Sequence, residues 1–139
     1  MEPTLERRMV CYHEAGHAVV HAHYDHAIYS TTVVPDDERD ILGNVTSQAL
    51  YSYPSNIRRA IMRESILATY AGSEAEKIVN PNFDPEQSSS DFSLAYNLLR
   101  EYPPPRCMVG DDVFYDRLEY YRKQSARLVR KLWPRVERV

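Results

Sequence analysis

The chain has 139 residues, 43% of them hydrophobic, and a formal net charge of -3. That length predicts one domain over residues 1–139, large enough to bury a core without disulfide or metal staples. The mildly acidic balance gives no global reason to expect nucleic acid or a membrane as partner, and the two cysteines, Cys11 and Cys107, make no disulfide framework.

No stretch has the apolar length of a signal peptide or a membrane span. The expectation is a soluble, cytoplasmic domain. The chain ends at Val139 within helix-forming sequence, so its C-terminus is expected to be truncated.

Thr4 is placed to cap a first helix from Leu5 to about Tyr24, with Glu6 in the turn where the helix dipole favours negative charge. Ile28 to Val34 are mostly β-branched or aromatic and predict a strand. Asp36 to Arg39 form a charged turn, and Ile41 to Ser47, with Gly43 inside, predict a second strand that completes a ribbon. Pro54 and Ser55 then start a long helix from Asn56 to Val79. Its apolar line is Ile57, Ile61, Leu67, Ala68, Ala71, Ala75 and Ile78. Ser88 to Ser90 cap a helix that begins near Asp91 and runs to about Glu101, where Pro103, Pro104 and Pro105 forbid its continuation. A last helix runs from about Asp112 to Trp133, with Leu118, Tyr121, Leu128, Val129 and Leu132 facing the core. The predicted architecture is mainly α with one small β ribbon.

All five histidines lie between His13 and His26. His13 and His17 are four apart, so on a helix they share a face and can grip one Zn²⁺. Glu14 follows His13, where its carboxylate reaches a water acidified by the metal rather than the metal itself. It can take that water's proton as general base. Ala15, Gly16 and Ala18 are small and let a second helix come close behind. Cys11 falls off the metal face and reads as a buried small apolar group. For a third ligand, His23 lies six residues after His17, but Val20 favours continued helix, which turns His23 away. His21 shares the face yet sits about 12 Å from His13 along the axis. Glu76 lies on a stripe with Ser65, Thr69 and Gly72 that lets the long helix approach. Its reading is a carboxylate that orients a ligand histidine by accepting its N–H.

The segment HEAGHAVV resembles the peptidase domain of the FtsH family, the membrane-anchored AAA+ zinc proteases. Three further segments extend the resemblance in order along residues 10 to 100. Ile41-Leu42-Gly43-Asn44-Val45-Thr46 resembles the family's active-site strand. Ile66 to Glu76 resembles its helix ending in a Gly-Gly and Ala-Glu-Glu pattern, although Ala71 replaces the first glycine. Ser89-Ser90-Asp91-Phe92 with Ala95 resembles its Ser-Asn-Asp-Leu segment. The resemblance implies an HExxH zinc-peptidase helical domain with Zn²⁺ as cofactor, His13 and His17 as ligands, Glu14 as base and Asp91 as third ligand. Asp91 also continues through Ala95, Leu98 and Tyr102, a line that points it inward. A buried carboxylate needs a partner there.

None of the four glycines forms a phosphate-binding G-x-x-x-x-G-K-[ST] loop, so ATP hydrolysis is not expected of this chain. A separate ATPase or adaptor is the partner the resemblance implies, and the oligomeric state stays open. The leading function is a zinc metalloendopeptidase acting on extended or unfolded polypeptide. A non-catalytic, zinc-stabilised protein-interaction module is the alternative, but a purely structural site has no use for Glu14. Residues 117–138 hold eight basic residues against two acidic ones. Apolar positions recur between them, so they read as a solvated helix face rather than a nucleic-acid surface.

Overall fold

The computed structural model of the chain describes residues 4–26, 28–32, 44–47 and 53–139. Helix α1 spans Leu5–His23, and Thr4 caps it by accepting the Arg7 N–H at 3.2 Å. A turn with Asp25 in the left-handed region (φ 58) leads to strand β1, Ile28–Thr32. Strand β2, Asn44–Ser47, pairs with it antiparallel, with Thr31 opposite Val45 and an irregularity between Ile28 and Ser30. Val33, Val34, the charged turn and Ile41 to Gly43 lie outside the described residues.

A 3-10 turn, Ser55–Ile57, opens into α2, Arg58–Val79. The middle of α2 is buried, whereas Ile57 and Ile78 at the two ends of its apolar line are exposed. A second 3-10 turn, Pro85–Ser88, is capped by Asp84, which accepts the Glu86 N–H at 3.0 Å. It runs directly into α3, Ser89–Glu101, so the helix starts before Asp91 and the serine side chains are not its caps. Helix α4, Asp112–Lys131, stops two residues short of Trp133. Pro134, which lacks an N–H, sits instead in the first turn of a separate short helix, α5, Trp133–Arg138.

Helices α1 and α2 pack face to face, with α3 and α4 against the other sides of α2. Gly16 sets the closeness of the first pair. A Cβ there would lie 2.4 Å from the Ala71 carbonyl oxygen and 2.8 Å from Ala75 Cβ. Together the packed helices bury Val20, Ile66, Leu99, Phe114, Val129 and Val136 almost completely. Each such side chain stabilises the fold by roughly 1.5–3 kcal/mol relative to exposure. Trp133 is half-buried and stacks on Tyr12, joining α5 to α1. Cys11 departs from expectation: it is exposed, because it projects away from the α2 side of α1.

Candidate metal centre

Two rings of one helix converge on a single carboxylate oxygen at the start of another. His13 Nε2 lies 2.8 Å from Asp91 Oδ2, and His17 Nε2 lies 3.1 Å from the same atom. The i, i+4 spacing on α1 supplies the two rings, and the first turn of α3 supplies the carboxylate. His17 Nδ1–H donates to the Ala68 carbonyl of α2 at 2.8 Å. Its Nε2 therefore faces Asp91 with a lone pair. A lone pair and a carboxylate oxygen in hydrogen-bond range need a cation between them, either a proton or a metal. On the other ring, His13 Nδ1 faces Glu76 Oε2 at 3.7 Å.

Gly72 keeps this space open. A Cβ at that position would lie 2.3 Å from His17 Nε2 and 2.7 Å from His13 Nε2. Glu14 is buried beside the rings, and its Oε2 has no hydrogen-bond partner among the described residues. Ligand atoms of His13, Glu14 and His17 all fall within 4.8 Å of one another. Asp91 is closer to both rings than that limit, and a single oxygen of it serves both.

The electrostatics follow from this packing. Burial alone would lower the His13 pKa, but the hydrogen bond to Asp91 and the nearby Glu76 carboxylate outweigh it and lift the group to about 9. Burial works against the Asp91 anion too, yet hydrogen bonds from His13 and His17 hold its carboxyl well below the usual range. Burial raises Glu14, with the positive charges on His17 and His13 opposing. A raised pKa makes Glu14 a stronger base.

His21 and His23 stay away from the centre. His23 is exposed. His21 is buried, and its Nδ1 lies 2.9 Å from His26 Nδ1, while His26 Nε2 bonds Glu64 Oε1 at 3.1 Å. This second cluster was not foreseen from the sequence, nor was the role of the Ala68 carbonyl. A backbone acceptor carries no residue-type signal, and the pairing of His26 with Glu64 spans 38 positions.

Over 99 residues the chain is 34% identical to the ATP-dependent zinc metalloprotease FtsH of Mycoplasma pneumoniae and 33% identical to that of Mycoplasma genitalium. The chain carries an FtsH-related region. Each FtsH alignment takes in 68% of this chain but only 14% of the relative. No protein-family model matches the chain. Among the described residues, no helix is long and apolar enough to cross a membrane.

Proposed function

We propose that this chain is a zinc metallopeptidase domain with an FtsH-peptidase-like fold, hydrolysing peptide bonds of extended or unfolded polypeptide. The observation that carries the reading is the convergence of His13 Nε2 and His17 Nε2 on Asp91 Oδ2, with the unpartnered Glu14 Oε2 alongside. This donor set of two imidazoles and one carboxylate suits Zn²⁺ and leaves a fourth position open. When bound, zinc supplies Lewis acidity that acidifies water and polarises a carbonyl.

The chain's own groups divide the remaining work. His13, His17 and Asp91 would hold the ion, and the Ala68 carbonyl and Glu76 would keep the two rings in the orientation that presents Nε2. Glu14 Oε2 would take the proton of the attacking water and pass it to the departing amine nitrogen. Strand β2 packs against α1. In the two-stranded sheet, its outer edge carries no strand among the described residues. A substrate chain could add along that edge, which favours extended polypeptide over folded protein. Cleavage of unfolded chains would then need no ATP, and folded substrates would depend on a separate ATPase or adaptor. The two free thiols suit a cytoplasmic setting.

Metal analysis with casein digestion tests this directly. The zinc-loaded chain should cleave casein, and Glu14→Gln should keep its zinc while kcat falls by about 10²–10⁴-fold. Equal turnover would remove Glu14 from the mechanism, and loss of zinc would make Glu14 a ligand. A zinc-loaded wild type that never cleaves would leave the interaction module as the better reading.

A further inference from the structure

We infer that the groove between α2 and α4 is a docking site for a linear acidic peptide segment of a partner polypeptide. The groove has a volume of about 550 Å³ and is lined along α4 by Arg117, Gln124, Arg127 and Lys131, with Arg63 on the α2 wall. The α4 positions recur every three to four residues or multiples of that, so they form one face. From Arg117 to Lys131 that face runs about 21 Å at 1.5 Å per residue. Four cations line it, and no carboxylate does among the described residues. This concentration of positive charge sits on a chain whose net charge is -3.

The pairing pattern on α4 sets these cations apart. Outside the groove, Arg122 is tied to both Glu119 and Glu74. Inside it, Arg63, Arg127 and Lys131 make no ion pair among the described residues. The floor is apolar, with Leu67 and Tyr121 buried at its base. An apolar floor under a cationic rim complements a peptide with carboxylates on either side of aliphatic side chains. Single-stranded nucleic acid fits this lining less well. A single strand would stack its bases on open aromatic faces, but Tyr121 is buried and the Arg117 guanidinium lies over the Tyr120 ring at 5.6 Å. The inference does not rest on the peptidase reading.

Fluorescence anisotropy on the full chain at low salt tests it, using a labelled peptide of alternating glutamate and leucine. A matched peptide of alternating glutamine and leucine and a labelled oligothymidylate serve as comparisons. The glutamate peptide should bind at least about tenfold more tightly than either. The double variant Arg127→Glu, Lys131→Glu should abolish that preference, and Arg63→Glu on the opposite wall should weaken it. Arg100→Glu, an exposed cation on α3, should leave it unchanged. All four side chains are exposed, so circular dichroism should report native helix throughout. The inference is overturned by equal binding of the two peptides, by a comparable loss in Arg100→Glu, or by tighter binding of the oligothymidylate.

Discussion

Helix α1 takes part in two clusters built from the same parts, two imidazoles and a carboxylate, and they are wired in opposite ways. In the first, His13 and His17 both turn Nε2 toward one oxygen of Asp91, which leaves a shared point of negative potential. In the second, His21 and His26 bond each other through Nδ1, and Glu64 takes the remaining nitrogen of His26. The first arrangement calls for a cation, while the second satisfies itself. The protonation behaviour follows: His13 is lifted to about 9, whereas burial and the neighbouring charges of His26 and His17 push His21 down to about 3. Residue types are alike in the two places, but His13 and His17 stand four apart on one helix whereas His21 and His26 stand five apart with His26 past the helix end, so the two pairs of rings point their nitrogens differently.

The widest separation between the clusters should come from removing one member of each. Asp91→Ala should cost nearly all bound zinc, because each ring loses the oxygen that completes its site. His26→Ala should leave zinc stoichiometry unchanged and lower unfolding free energy by roughly 1–3 kcal/mol, the range for stranding buried polar partners. Atomic absorption with urea titration reads both, and equal zinc loss in the two variants would erase the distinction. A smaller effect is expected one step out from the metal. Glu76→Ala should weaken zinc affinity by about 10–100-fold in a chelator competition, since it only orients the His13 ring. An effect larger than that of Asp91→Ala would reverse the roles of the two carboxylates.

The subtlest difference is in how the metal-free chain responds to pH. The folded pKa of His13, about 9, lies above its ordinary 6.5. Its contribution to stability is therefore fully present below pH 6.5 and lost as pH rises through 9. His21 is shifted the other way, to about 3. The unfolded chain then takes up a proton that the folded chain refuses, and stability falls as pH drops from 6.5 toward 3. Each limb should approach a slope of about 1.4 kcal/mol per pH unit. Urea unfolding with chelator present measures both, and His13→Gln should flatten only the alkaline limb. A flat profile above pH 6.5 in the wild type would contradict the ion pair with Asp91.

Much of the helical frame was readable from local signals. Thr4 followed by Leu5 and Glu6 marked the α1 start, and the prolines after Glu101 marked the α3 end. The juxtaposition of His13 and His17 was readable because an i, i+4 spacing on a helix translates directly into a shared face. What stayed hidden depends on contacts between distant segments. Phe114 and Ser125 are fully buried and were not named in the α4 core although both fall on its face, Phe114 four residues before Leu118 and Ser125 four after Tyr121; Ser125 is polar and is buried because the Leu67 carbonyl accepts its hydroxyl. Cys11 was misjudged for the converse reason: a small apolar residue is buried only if a neighbour covers it. The boundary at Leu132 reflects Pro134 acting a few residues ahead of itself.

One turn of α2 acts as a hub for registration among three helices. The Leu67 carbonyl accepts the Ser125 hydroxyl of α4 at 2.7 Å, and the very next carbonyl, that of Ala68, accepts the His17 ring of α1. Both bonds use backbone oxygens, whose positions are fixed by the helix and not by any rotamer. A sideways slip of α4 against α2 thus has no slack to absorb it before the turn that orients His17 is strained. The alignment of the His17 imidazole is in this way indexed to the placement of a helix that supplies none of the proposed ligands.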